Sequence, residues 1–142
     1  MSELLEGFIP YPAEVAEEYR RRGYWKGLTL GDHLDDWVRR YGERIALVAG
    51  EQRISYRELG ERVERAASHL AALGIAPGDR IVVQLNNIPE FVYLSFALFK
   101  LGALPIMALV RWSSGRIAYA CASCRSASGS SALSLRDMAK DP

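Results

Sequence analysis

The side chains able to do chemistry are scattered along this chain of 142 residues. Cys121 and Cys124 form one C-x-x-C pair. A single pair supplies half of a four-thiolate zinc site, and no second pair exists. A redox motif would need a strand before the pair and a helix after it, and neither pattern is present. Two unpaired thiols in a tail are the expectation. Ser128-Gly129-Ser130-Ser131 has the composition of a phosphate-wrapping loop, but no lysine or helical pattern follows closely. Neither G-x-x-x-x-G-K-[ST] nor G-x-G-x-x-G occurs. His33 and His69 fall on separate helical stretches, with no Ser, Cys or carboxylate placed to complete a triad. Glu17/Glu18 and Asp35/Asp36 are sequence neighbours on helices, so each pair diverges by about 100° and forms no carboxylate dyad. Arg20, Arg21 and Arg22 could touch phosphate, but they stand where a helix ends and suit its dipole. Trp25 and Trp37 fit core and lid packing better than base stacking, because no basic stripe runs beside them. From these residues alone no catalytic, cofactor-binding or metal-ligating residue is assigned.

The elements that would position such groups are clearer. Pro12 suits the first turn of a helix that Gly23 ends. A second helix follows Thr29, with Leu30, Leu34, Trp37, Val38 and Tyr41 on one stripe, and Gly42 stops it. Ile45–Ala49 and Arg53–Ile54 read as two short strands around Gly50-Glu51. Ser55-Tyr56-Arg57-Glu58 predicts a capping box, in which Glu58 reaches back to the cap N–H. The helix it opens places Leu59, Val63, Ala66, Ala67, Leu70 and Leu73 on one face, and Gly74 closes it. Pro77-Gly78-Asp79 is a turn. Arg80–Leu85 reads as a strand buried on both faces. Asn87 is the expected cap of a helix from Ile88 to Leu101. After Gly102, Leu104–Leu109 reads as a second buried strand. Strand, helix and strand with such short joints make a βαβ unit with parallel pairing. The fold class is α/β.

Composition bounds the rest. Hydrophobic residues make up 49% and charged residues 25%, with net charge +1. That balance excludes wholesale disorder and a globally basic nucleic-acid binder. Acidic residues in MSELLEGFIPY stand where a signal peptide needs a basic region, so a cytoplasmic protein is expected. Phe91–Val110 has the length of a membrane span, but Lys100 sits at its centre and Gly102 and Pro105 break it. A buried helix followed by a buried strand is the reading. Residues 1–109 carry 13 basic and 15 acidic residues; residues 110–142 carry 5 and 2. Serines number 4 in the first part and 8 in the second, which holds both cysteines and no Glu. The sequence therefore divides into a folded part, 1–109, and a Ser-rich tail, 110–142.

Several motifs resemble one family. Phe8-Ile9-Pro10-Tyr11-Pro12, Tyr19-Arg20 and Gly23-Tyr24-Trp25 are similar to the opening of the aryl-acid AMP ligases, which activate 2,3-dihydroxybenzoate or salicylate for siderophore synthesis. Ile54-Ser55-Tyr56-Arg57-Glu58-Leu59 resembles the first core motif of the wider adenylate-forming superfamily. Pro77-Gly78-Asp79-Arg80 and Gln84-Leu85-x-Asn87-x-Pro89-Glu90-Phe91 follow its pattern, and Leu98–Met107 resembles its second core motif. The likeness covers residues 7–109. Asn86 departs from it, standing where the family has Pro. After Leu109 the family continues with a Pro-Ala-His-Arg-like stretch, whereas this chain reads Val110-Arg111-Trp112-Ser113. Ile117-Ala118-Tyr119 returns to register, and from Ser123 the likeness is lost. A shifted reading frame or a truncation is the expectation for this stretch.

The resemblance implies the N-terminal portion of the large AMP-binding domain of adenylate-forming enzymes. In that family ATP, Mg²⁺ and the aryl acid give an acyl-adenylate, which passes to the phosphopantetheine thiol of an aryl carrier protein. Its phosphate loop, nucleotide contacts, acid pocket and catalytic lysine all lie downstream of the matching residues. None is carried over, so catalytic, cofactor-binding and metal residues all stand at none. Two expectations follow for the 142 residues alone: an inactive N-terminal piece of such a ligase, or a non-catalytic remnant or interaction module that keeps the scaffold. Neither binds a cofactor by itself, and neither engages nucleic acid or membrane.

Overall fold

A computed structural model describes residues 9–108 of the chain. Phe8, Leu109, the Cys121/Cys124 pair and Ser128–Ser131 lie outside the described residues. The order is α1 (Ala13–Arg21), α2 (Leu30–Tyr41), β1 (Ile45–Ala49), β2 (Gln52–Ser55), α3 (Tyr56–Ala72), β3 (Arg80–Val83), α4 (Pro89–Lys100) and β4 (Leu104–Met107). β1 and β2 form an antiparallel hairpin, and β3 and β4 pair in parallel. The α/β class and the βαβ unit are as expected, and the Phe91–Val110 stretch supplies most of α4 and then β4. No helix among the described residues is long and apolar enough to cross a membrane.

Local chemistry explains each boundary. Thr29 Oγ1 accepts from Asp32 N at 3.1 Å, while the Asp32 carboxylate accepts from Thr29 N at 2.7 Å. This reciprocal box starts α2 and satisfies two helix-end donors. At α3 the expected box is only half made. Ser55 Oγ accepts from Glu58 N at 3.2 Å, but the Glu58 carboxylate pairs with Arg62 one turn on. A guanidinium four residues ahead is a charged donor, and it outcompetes the cap N–H. Asn87 does not cap α4. Ile88 does, with φ −118° and ψ 159°. The cause is Pro89: a residue before proline is held extended, and proline suits the first helical position. Gly50 turns the hairpin at φ +56°, a region open to a residue without Cβ.

The core lies where α2, α3 and α4 meet the strands. Leu34, Ile54, Val63, Leu70 and Leu98 are its largest fully buried side chains. Ile81 and Val83 of β3 also join it. The strands are shorter than expected, ending at Val83 and Met107 instead of Leu85 and Leu109. They are also not buried on both faces, since Leu104 is 39% and Met107 45% exposed. Among the described residues the parallel sheet has two strands, and a two-stranded sheet has no further neighbours to cover its outer side.

Candidate functional site

Four groups of side chains stand out from the scaffold. The first ties three helices together. Lys100, at the end of α4, donates from Nζ to Asp35 Oδ1 of α2 at 2.7 Å and pairs with Glu64 of α3. Its side chain is 17% exposed, whereas both carboxylates stay more than half exposed. Burial opposes its charge, but the hydrogen bonds to Asp35 and Glu64 outweigh that, and its pKa is raised. In sequence Lys100 shows only as the one charge in an apolar stretch. That was itself the signal, because a half-buried ammonium requires carboxylate partners.

The second group joins α3 to α4. Arg62 Nη1 donates to Tyr93 Oη at 2.9 Å, with the guanidinium 5.3 Å from the ring centroid. Tyr93 is buried, and burial pushes its phenol pKa up despite the nearby cation. Glu58 completes the chain of contacts through Arg62. No local pattern announces this network, in which Arg62 and Tyr93 are 31 positions apart.

The third group is a cavity of about 730 Å³ between the end of α1 and the start of α2. Trp25 sits at its wall, with Tyr11 at 5.1 Å and Tyr19 at 5.2 Å, both rings nearly perpendicular to it. Arg20 lies over the same indole, 5.9 Å from its centroid. A smaller groove of about 260 Å³ runs between the hairpin and the start of α4, lined by Leu47, Val48, Ile88, Phe91 and Val92 among others.

The residues weighed from sequence fall into place. His33 stacks on Trp37 at 6.0 Å and borders the larger cavity; His69 is exposed in the last turn of α3. The adjacent acids turn to different partners: Asp36 binds Arg39 and Arg40, and Asp35 binds Lys100. Glu18 takes both Arg21 and Arg22. Trp37 packs against the core as expected, whereas Trp25 stands outside it at 36% exposure. Among the described residues no group of three His, Cys, Asp or Glu could hold a metal ion. The described residues thus offer no side-chain set for Mg²⁺.

A family profile described as AMP-binding enzyme matches residues 34–128, so the likeness extends past both residue 109 and Ser123, where it was expected to end. Triostin synthetase I of Streptomyces triostinicus is 47% identical over 134 residues, covering 94% of this chain and 25% of the relative. The 2,3-dihydroxybenzoate-AMP ligase of Bacillus subtilis is 51% identical over 118 residues, covering 83% of this chain and 22% of the relative. The apo structure of Mycobacterium smegmatis MbtA superposes with TM-score 0.78 at 38% identity, covering 83% of this chain and 22% of that one. The chain thus spans a quarter or less of the length of these relatives.

Proposed function

The chain belongs to the AMP-binding enzyme family, and from that premise we propose that residues 1–109 are the N-terminal part of the AMP-binding domain of an ATP-dependent aryl-acid ligase. The acid is 2,3-dihydroxybenzoate or salicylate. In the complete enzyme its carboxylate attacks the α-phosphorus of ATP, an acyl–phosphate bond forms, and pyrophosphate leaves. An aryl carrier protein's phosphopantetheine thiol then attacks the acyl carbon and AMP departs, feeding siderophore synthesis. In the complete enzyme ATP with Mg²⁺ would supply the activated phosphate and its charge neutralisation.

The role assigned to this chain's own residues is structural. The Lys100 clamp fixes α2, α3 and α4 against each other. The Ser55 cap fixes the start of α3, and Pro89 fixes the start of α4. These elements hold β3 and β4 in parallel register, Arg80 beside Leu104 and Val83 beside Met107. The 142 residues by themselves are expected to form no adenylate, because in the family the phosphate loop, acid pocket and catalytic lysine lie downstream of the matching residues.

The observation that carries this reading is the 51% identity to a 2,3-dihydroxybenzoate-AMP ligase over 118 residues. A chimera tests it. The matching N-terminal stretch of the Bacillus subtilis ligase is replaced by residues 1–109 of this chain. Dihydroxybenzoate-dependent ATP–pyrophosphate exchange is expected to survive. A chimera that melts cooperatively like its parent yet exchanges no pyrophosphate would overturn the reading.

A further inference from the structure

The stretch before α2 is tied together as a unit of its own. Tyr11, Tyr19, Tyr24 and Trp25 form one ring cluster, and the Arg20 guanidinium lies over the indole. Glu18 takes both Arg21 and Arg22. At the end of α1, Gly23 N donates to Arg20 O at 3.0 Å and Tyr24 N to Tyr19 O at 2.9 Å. These are the paired closures of a Schellman end, and they use the left-handed φ of Gly23, +73°. Among the described residues, the hydrogen bonds, ion pairs and ring contacts of residues 11–26 all stay within that stretch. The hydrophobic core of the body begins only at Leu34.

Gly27 joins this unit to the body. Its φ is +69°, and a Cβ built on it would meet nothing within 4 Å. Unlike Gly23 it closes no helix, since among the described residues no backbone hydrogen bond is made by residues 26–28. The next fixed point is the capping box of Thr29. A left-handed glycine with open space and no local bond to hold it is suited to absorb a change of backbone angle. The cavity lies across this joint. Arg20, Tyr24 and Trp25 line it from the α1 side, and half-buried His33 lines it from α2. His33 is stacked on Trp37 and belongs to the body.

We propose that residues 11–26 are a preformed lid that swings in one piece about Gly27 and closes over His33. The ring cluster keeps the lid's shape, and the angle at Gly27 sets how far the cavity opens. The motion is independent of the ligase reading, which gives these residues no role.

Diethyl pyrocarbonate modification and hydrogen-exchange mass spectrometry on the 142-residue chain test it. The chain has two histidines, and exposed His69 serves as the internal reference for His33. In Gly27→Ala the added β-carbon disfavours the left-handed region, so the closed angle is lost. His33 is then expected to react about threefold to tenfold faster relative to His69. Asn tolerates that region, so Gly27→Asn is expected to react as the parent does. The lid moves whole, so the α1 amides are expected to be protected in the parent and in both hinge variants. In Trp25→Ala they are expected to lose that protection while α3 keeps its own. The proposal is overturned if the two hinge variants leave His33 reacting alike, or if α1 is unprotected in the parent. It is equally overturned if the α1 amides lose protection in Gly27→Ala or keep it in Trp25→Ala.

Discussion

Gly60 of α3 faces Val38 of α2 so closely that a Cβ built on it would lie 2.8 Å from Val38 Cγ2. Val38 is β-branched, so its methyl cannot swing aside cheaply. The two helices therefore meet through a bare backbone. Gly60→Ala would gain helix propensity of about 1 kcal/mol but overpack the contact by roughly 1–3 kcal/mol. A net loss of about 1 kcal/mol in urea unfolding is expected. In a Val38→Ala background the same change is expected to cost nothing or to stabilise.

Lys100 tests whether the three-helix clamp matters. Lys100→Met keeps the aliphatic stem and removes the charge. The partner carboxylates are exposed and stay hydrated after the change, so the expected loss is modest, about 1 kcal/mol. The sign with pH is definite. Its pKa in the folded chain is raised above 10.5, so the stabilisation is complete below that value and fades as pH climbs through the raised one. Urea midpoints from pH 9 upward are expected to fall more steeply for the parent than for Lys100→Met.

The box at the start of α2 gives the opposite dependence. Hydrogen bonds from Thr29, backbone first and then side chain, hold the Asp32 carboxyl below its ordinary 3.8. Its contribution is present above 3.8 and is lost as pH falls through the lowered value. Asp32→Asn is expected to flatten the acid limb of a stability–pH curve in that window. Thr29→Ala removes the cap acceptor and is expected to cost about 1 kcal/mol near neutral pH.

The parallel pair predicts how the 142-residue polypeptide behaves in solution. Leu104, Met107 and, on the hairpin, Val48 are exposed, and among the described residues β3 and β4 each have one neighbour. Open strand edges and apolar surface favour association between copies. Light scattering is expected to show concentration-dependent assembly, reduced by Met107→Lys. A monodisperse monomer at high concentration would contradict this.

Much of this architecture is legible in the sequence because its signals are local. Pro12, Gly50 and Gly102 punctuate the chain, and the stripe from Leu59 to Leu70 is the buried face of α3, whereas Leu73, expected on the same face, caps the helix and is 57% exposed. Element boundaries shift where two local signals compete. Asn87 is a good cap residue, but Pro89 moves the boundary to Ile88. Glu58 fits a capping box, but Arg62 takes its carboxylate. The candidate sites were harder to see because they join distant positions. Arg62 meets Tyr93, Lys100 meets Asp35, and Tyr11 meets Trp25 only after the helices pack. No periodicity encodes such meetings. The aromatic wall did leave a trace in the opening motif, whose Tyr11, Tyr19, Tyr24 and Trp25 all join one cluster.

On the proposed function, residues 1–109 are the frame of an acid-activating domain and do not themselves grip the triphosphate. ATP–pyrophosphate exchange measures it directly, using the 142-residue polypeptide with Mg²⁺ and either 2,3-dihydroxybenzoate or salicylate. Exchange at the level of the protein-free blank is the expected result. Acid-dependent exchange above that blank would contradict the account.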